Sequence, residues 1–366
     1  VGIKGSAYQT GSSFTMYGGA ITGNKTDSGS GGGVFLVGTT NHINPPSFTM
    51  HGGTISNNTA GASDGGGGGV YVGEKCSFTM DGGTITGNTA TKGNGGGIYI
   101  HFNAGNVSIS NATITGNKAS ATGNTSYGHG GGIYSERGVT VKNVTITGNN
   151  STYEGGGIYG KGAITLTDAT VTDNSQYDVY YDGTESTNPK LTVSGSVKAG
   201  YYANYDWKLP ILVSGELSED SVIRVGVREG INPGAIAEPA SGVTLRAENF
   251  KADAADSVTS LGNDGKVYLV PCTHETGYTC KKCKTQFDAR VGDSAYYKTL
   301  TDAFNAARGS TVTLLRDVTL TGNCSSDTYP ATLDLNGKTV SSGRYYIHVG
   351  GGNKPNTLTV KDSSKG

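Results

Sequence analysis

The sequence predicts an all-β chain whose larger part winds as a parallel β-helix, and two alternating motifs carry that prediction. One motif ends in asparagine, as in "FTMDGGTITGN" ending at Asn88, and six copies lie between residues 14 and 174. The other is a glycine triplet followed by an aliphatic and an aromatic residue, as in "GGGIY" at 95–99. Glycine supplies 61 of the 366 residues. A disordered glycine tract would not keep two motifs in alternation, so a repeated structural unit is predicted.

The spacing of the repeats suits one coil of a solenoid per repeat. The motif asparagines are 34, 30, 29, 32 and 25 residues apart, which is the period of solenoid and array proteins. Each repeat offers three short β-like segments separated by glycine turns, and residues 1–200 show no helical periodicity. Equivalent strands of successive coils should therefore stack about 4.8 Å apart.

Aligned repeats predict which side chains meet inside such a solenoid. Residues at equivalent positions of successive coils become neighbours, so the alignment predicts a phenylalanine column, an aliphatic column and an asparagine ladder at one corner. The members are Phe14, Phe48 and Phe78; then Ile21, Ile55, Ile85, Ile114, Ile146 and Val171; then Asn24, Asn58, Asn88, Asn117, Asn149 and Asn174. Buried amides at a corner can bond the next coil and the turn carbonyls.

The glycine triplets stop after the repeats, and the pattern changes. Residues 1–270 are predicted to form the β-helix with irregular last coils and a cap, in which the aromatic-rich stretch 177–209 shields the open end of the coil stack. Residues 271–290 are predicted to be a Cys/His linker. Cys76 and Cys324, outside that linker, are expected to be buried thiols.

Residues 291–366 are predicted to form the N-terminal cap helix and first coils of a second β-helix. Leu300, Ala303, Phe304 and Ala307 follow the spacing of one apolar helical face, and Gly309 is a stop signal. Thr301–Asp302 is an alternative start for that helix. Short strands follow it to the end of the sequence.

The linker carries a candidate metal site. Cys272, His274, Cys280 and Cys283 offer three thiolates and one imidazole on a short loop, a set that suits a tetrahedral structural zinc. The alternative is a disulfide between Cys280 and Cys283 or between Cys272 and Cys283, which an extracellular protein could form.

The candidate ligand-binding residues follow the glycine triplets. They are Phe35, Tyr71, Tyr99, Tyr134 and Tyr159. Because Ile98 and Ile100 should point inward, Tyr99 should point outward, and five coils should present an exposed aromatic face. Such a face suits sugar rings and protein partners. The alternative is that the stacked rings serve the sheet itself and that polar loops cover them.

No catalytic residue is predicted, although many β-helices are enzymes that act on polysaccharides. A hydrolase needs two carboxylates close together in a cleft. The aligned column Tyr17, His51, Asp81, Asn111, Asn143 and Asp168 has only two acids, three coils apart. His101 and His129 could approach each other, but neither has an acidic partner in register. The question of catalysis stays open, with the balance against an enzyme.

Composition excludes some classes of function. The net charge of −1 provides no basic field for nucleic acid. No apolar run is long enough to span a bilayer, and there is no signal peptide. The sequence opens on Val-Gly-Ile-Lys-Gly without Met, which we interpret as the start of an internal fragment of a longer protein.

The alternation of "GGGIY" with "ITGN-x-A" over residues 14–175 resembles the repeats of chlamydial polymorphic membrane proteins. It also resembles the β-helix repeats of large surface proteins of gut Gram-positive bacteria. It departs from the chlamydial pattern in using Ile-Thr-Gly-Asn where a phenylalanine usually leads. The resemblance implies a right-handed parallel β-helix on a bacterial cell surface, or secreted, that acts in adhesion.

Three hypotheses for the function follow. The first is a non-enzymatic adhesin-like module, a rigid rod that presents loops and an aromatic face to a host or microbial glycan or glycoprotein. The second is a β-helix polysaccharide lyase or glycosidase, which bound Ca²⁺, aligned carboxylates or released oligosaccharides would favour. The third is a structural spacer without a ligand. The sequence leaves the oligomeric state open.

Overall fold

The computed structural model describes residues 1–4, 11–38, 45–63, 65–121, 126–183, 190–203, 211–226, 234–253, 257–272, 286–292, 295–326, 329–350 and 356–365. The chain divides into two compact units. The first comprises Val1–Ala254 and Thr259–Leu269, and the second comprises Ala255–Val258 and Val270–Gly366.

The first unit is the predicted parallel β-helix, because like strands of successive coils pair in parallel. At its end, Val267–Pro271 pairs antiparallel with Ala235–Pro239. A full coil has four strands and not the predicted three, since a two-residue strand follows each motif asparagine from Asn24 to Asn149. We name the four rows of strands the phenylalanine, isoleucine, short and tyrosine rows. The tyrosine row follows the glycine triplets.

The bounds of the strands in each row are as follows. The phenylalanine row contains Ser13–Met16, Ser47–Met50, Ser77–Met80, Val107–Ser110, Val139–Lys142, Ile164–Thr167, Leu191–Gly195, Ile211–Leu217 and Ala235–Pro239, followed by Val267–Pro271 and Ser257–Leu261. The isoleucine row contains Ala20–Thr22, Thr54–Ser56, Thr84–Thr86, Thr113–Thr115, Thr145–Thr147 and Thr170–Thr172. The short row contains Lys25–Thr26, Thr59–Ala60, Thr89–Ala90, Lys118–Ala119 and Asn150–Ser151. The tyrosine row contains Gly2–Lys4, Val34–Val37, Val70–Val72, Ile98–Ile100, Ile133–Ser135, Ile158–Gly160 and Val179–Tyr181.

The interior of the helix is filled by the predicted columns. Phe48 is fully buried. Its ring centroid is 5.0 Å from that of Phe14 and 5.2 Å from that of Phe78. Ile85 is aligned with Ile55 and Ile114, and all three are fully buried. Between inward side chains, threonine and serine face outward, as strand alternation requires.

The asparagine ladder is confirmed at the corner between the isoleucine and short rows. Asn117 Oδ1 accepts from the backbone amide of Asn88 at 3.0 Å and from its side-chain amide at 2.9 Å. Asn117 Nδ2 donates to the carbonyl of Ile85 at 3.0 Å. The same bonds repeat from coil to coil, so each side chain satisfies polar backbone groups that the turn leaves inside the protein.

The glycine triplets have a steric cause. The first glycine has positive φ, for example 66° at Gly95. The second leaves no room for a side chain, since a Cβ at Gly96 would lie 2.5 Å from the carbonyl oxygen of Gly131 in the next coil and 2.5 Å from the Lys118 nitrogen. The turn before the tyrosine row therefore needs both the left-handed conformation and the close approach that glycine permits.

The repeats change character at the end of the unit. Lys198–Ala203 pairs with both Thr170–Thr172 and Val179–Tyr181, so one longer strand joins two rows. Val222–Gly226 and Phe250–Ala252 continue from it, with a 3₁₀ turn at Ala247–Asn249. The prediction that residues 177–209 shield the open end is wrong for the described part. Tyr181 and Tyr201 lie in the core, because the coils continue past them; residues 184–189 and 204–210 lie outside the described residues.

The second unit has its own core around a short helix. The helix spans Leu300–Ala307, and its buried residues are the predicted Leu300, Ala303, Phe304 and Ala307. The Thr299 side chain accepts from the Asp302 amide at 3.1 Å, so the helix begins before the alternative start. The strands are Ala289–Val291, Ala295–Tyr297, Thr311–Leu314, Val318–Thr319, Cys324–Ser326, Ala331–Asp334, Val340–Ser341, Ile347–Val349 and Leu358–Lys361, with a 3₁₀ turn at Ser363–Lys365.

Two further expectations can be checked in the described residues. Cys76 and Cys324 are fully buried, as predicted, and burial raises the pKa of the Cys76 thiol to about 11. No helix in the described part of the chain has the length and apolar character needed to cross a membrane.

Candidate functional site

The aromatic residues of the tyrosine row form one continuous stack. Its members, which we call the tyrosine column, are Phe35, Tyr71, Tyr99, Tyr134, Tyr159, Tyr180 and Tyr202. Successive ring centroids are 5.3, 5.0, 5.1, 5.2, 5.5 and 5.4 Å apart. The five predicted residues are thus brought together, and the column continues over two further coils that sequence analysis did not assign to it.

The column points away from the helix core, as predicted, but its face is not exposed. The exposed fractions of Tyr99, Tyr134 and Tyr159 are only 5%, 3% and 4%, so the expectation of an open aromatic face is wrong for these rings. Phe35, Tyr71 and Tyr202 are partly buried. Burial raises the pKa of the Tyr99, Tyr134 and Tyr159 hydroxyls well above the usual value of 10. These hydroxyls therefore stay protonated donors at physiological pH.

Polar side chains from the turns before and after the tyrosine row lie beside the column. The His129 ring packs on Tyr159 with centroids 4.6 Å apart, and His129 Nδ1 lies 2.9 Å from Glu154 Oε2. This imidazole lowers the pKa of the Glu154 carboxyl below its usual value. The Tyr159 hydroxyl donates to Asp182 Oδ2.

These groups line a cavity of about 360 Å³ that is open to solvent on one side, which we call the tyrosine pocket. Its lining consists of Ser126, His129, Tyr134, Glu154, Tyr159, Lys161, Tyr180 and Asp182. Two of the predicted residues, Tyr134 and Tyr159, line it. The pocket combines hydroxyl donors, two carboxylates, an ammonium and an imidazole, so it can bind a ligand that both donates and accepts several hydrogen bonds.

The pairing of His129 with Glu154 corrects the expectation that neither His101 nor His129 has an acidic partner in register. His129 stands immediately before the glycine triplet that begins at Gly130, and Glu154 stands immediately before the triplet that begins at Gly155. The Gly130 amide donates to the Glu154 carbonyl, which places the two turns in neighbouring coils. Alignment on the triplets, instead of on the asparagines, would have found the pair.

The column that begins at Tyr17 and ends at Asp168, in which catalytic acids would have been aligned, lies in the turns between the phenylalanine and isoleucine rows. His51 Nδ1 lies 2.8 and 2.9 Å from the two carboxylate oxygens of Asp81, and the Tyr17 ring stacks on His51 at 4.9 Å. Asn111, Asn143 and Asp168 have φ of 50°, 52° and 49°. Asparagine and aspartate tolerate this left-handed conformation, which explains their presence without catalysis.

Of the four predicted zinc ligands, the structure describes Cys272. Cys272 is 8% exposed, while His274, Cys280 and Cys283 lie outside the described residues. Within the described ranges, no cluster of three His, Cys, Asp or Glu residues is arranged to hold a metal ion.

Comparison with known proteins gives one match. A family model described as a right handed beta helix region matches residues 7–197, a stretch that contains the tyrosine pocket and all of the column except Tyr202. No curated protein and no solved structure matches the chain.

Proposed function

Because the chain belongs to the family of right-handed β-helix regions, we propose that its coils form a rigid rod that binds a glycan or glycoprotein in the tyrosine pocket. The observation that carries this proposal is the lining of that pocket. Hydroxyls of stacked tyrosines stand beside Glu154, Asp182, His129 and Lys161 in a cavity of about 360 Å³. That volume lies in the usual range of small-molecule sites.

The chemistry of the lining favours a sugar over an apolar ligand. A saccharide presents hydroxyls that donate to carboxylates and accept from ammonium and phenol groups. Tyr159 is held by Asp182 and packs against His129, so these groups are ordered before a ligand arrives. A pre-organised site loses less entropy on binding.

The sequence resemblance supports an extracellular location for this module, on a bacterial cell surface or secreted. The partner would then be a host or microbial glycan. The Cys272, His274, Cys280 and Cys283 set remains a proposed structural zinc site. Metal analysis of the purified chain, with and without a chelator, tests it: bound zinc supports the site, and its absence favours the disulfide.

A glycan and mucin binding screen on the full chain tests the proposed function. We expect binding that the Glu154→Gln and Asp182→Asn variants lose by about tenfold or more, since each removes a charged acceptor from the pocket. Asp81→Asn is the matched control, because Asp81 also pairs with a histidine but lies outside the tyrosine pocket. Binding that is unchanged in both pocket variants would refute the tyrosine pocket as the site.

A second candidate function is hydrolysis or elimination of a polysaccharide. It is favoured by the presence of Glu154, Asp182 and His129 in one pocket, which supplies carboxylates and an imidazole for proton transfer. Analysis of each bound glycan for soluble products decides between the two. Products that disappear in Glu154→Gln would establish an enzyme, and binding without products supports the adhesin-like module. If the screen finds no binding and no products, the spacer hypothesis remains.

A further inference from the structure

A second cavity, of about 700 Å³, adjoins the tyrosine pocket. We call it the corner groove, since it lies at the turns that follow the tyrosine row. Phe102, Glu136, Arg137, Lys161 and Asp182 are among its lining residues. Lys161 and Asp182 line both cavities, so the two are neighbours that meet at these side chains.

Three charged residues of the corner groove, Glu136, Lys161 and Asp182, come from equivalent positions of successive coils. The amides of Glu136, Lys161 and Asp182 donate to the carbonyls of Ile100, Ser135 and Gly160 at 3.0, 2.9 and 2.9 Å. His101 occupies the same position one coil before Glu136, bonding Val72 at 3.0 Å. Each coil adds about 4.8 Å, so the three steps from His101 to Asp182 span roughly 14 Å along the helix axis.

One end of the corner groove is a longer turn held in place by its neighbours. Arg137 Nη1 donates to the carbonyl of Gly105 at 2.8 Å and also to that of Ala104. The Phe102 amide contacts Glu136 Oε2 at 3.3 Å. The turn over residues 101–105 is therefore fixed to the next coil, and it forms a wall at this end.

That wall carries an exposed aromatic ring. Phe102 is 59% exposed, and its ring lies on His101 with centroids 4.2 Å apart. A ligand in the groove can cover this apolar ring and gain stacking energy. The C–H face of a pyranose is such a ligand surface.

We propose that the ligand is a linear oligosaccharide of three or more units, which leaves the tyrosine pocket at Lys161 and Asp182 and runs along the corner groove to stack on Phe102. The rise of one coil is close to the length of one unit in an extended sugar chain, so successive units meet successive charged residues. This inference rests on the proposed function and adds the length and direction of the ligand.

The test is the affinity of the full chain for mono- to hexasaccharides of mucin-type, chitin-type and plant cell-wall glycans, measured in solution. We expect the affinity to rise by about tenfold or more between disaccharides and tetrasaccharides of a bound series. Phe102→Ala should remove most of that gain and leave the binding of shorter members unchanged. Tyr17→Ala is the matched control, because Tyr17 is also an exposed ring stacked on a histidine, outside both cavities.

The outcomes separate the inference from the function on which it rests. Affinity that does not depend on chain length, or a length dependence that Phe102→Ala leaves intact, overturns the inference while the proposed function stands. An equal loss in Tyr17→Ala also overturns it, since the effect would not belong to the groove. If no member of the panel binds, both the inference and the proposed glycan-binding function are refuted.

Discussion

One asparagine in each coil satisfies backbone groups on both sides of a corner, which makes it the residue on which the fold should depend most. Asn117 is fully buried and bonds Asn88, Ile85 and Asn149. Asn117→Ala should lower the free energy of unfolding by about 3 kcal/mol, because several buried polar groups lose their partner. Urea unfolding followed by circular dichroism measures this.

The control for that variant is a member of the same ladder at its exposed end. Asn24 is exposed, so water can replace the bonds of its side chain. Asn24→Ala should cost no more than about 1 kcal/mol. Equal losses at the two positions would show that burial does not decide the energy of the ladder.

Glu154 gives the stability of the protein an acid-dependent component. The His129 imidazole holds the folded-state pKa of Glu154 below its usual value of 4.5. The carboxylate therefore favours the fold fully above pH 4.5, and its contribution is lost as the pH falls through the folded-state pKa. The melting temperature of the native chain should drop more steeply on acidification than that of Glu154→Gln. Parallel melting curves from about pH 6 to about pH 3 would contradict this linkage.

At the scale of one element, the turn before the tyrosine row is the least tolerant segment of the coil. A methyl group at Gly96 would meet the backbone of the next coil at two places, Lys118 and Gly131. Gly96→Ala should therefore destabilise the first unit by several kcal/mol, on the order of an overpacked core, as measured by thermal unfolding.

Gly18→Ala is the matched control for Gly96→Ala. A Cβ at Gly18 would have nothing within 4 Å, and its φ is not in the left-handed region. We expect a change of less than about 0.5 kcal/mol. A small effect at both positions would mean that the coils can separate to admit a side chain.

Sequence patterns predict the columns of this fold well and its surface poorly, for a physical reason. The phenylalanine, aliphatic and asparagine columns follow from similar residues at the same position of each repeat, because stacked coils place equivalent positions next to each other. The burial of Tyr99 and the contact of His129 with Glu154 depend on turns whose lengths differ between coils. The corner groove likewise depends on the turn over 101–105, which is longer than the turns 136–138 and 161–163 of the next two coils, and no repeat encodes that difference.

At the scale of the whole molecule, the two units have separate hydrophobic cores. Phe304 is 2% exposed and belongs to the core of the second unit. Phe304→Ala should accelerate hydrogen exchange in Thr311–Leu314 and Ala331–Asp334, because a large core deletion costs about 3–5 kcal/mol. Exchange in Ser77–Met80, in the core of the first unit, should not change. Equal acceleration in both units, measured by mass spectrometry, would show that they unfold together.

The turn before the tyrosine row also affects the chemical degradation of the protein. Asn94 is followed by Gly95, and in a flexible chain an asparagine before glycine loses its amide when the next backbone nitrogen attacks the side-chain carbonyl. Here the Gly95 amide donates to the His129 carbonyl at 3.0 Å, and Asn94 Oδ1 accepts from the His129 amide at 2.9 Å. Both reacting groups are tied to the next coil, so deamidation at this dipeptide must wait for the coils to part. The same stacking that fixes the architecture thus also protects this dipeptide from deamidation.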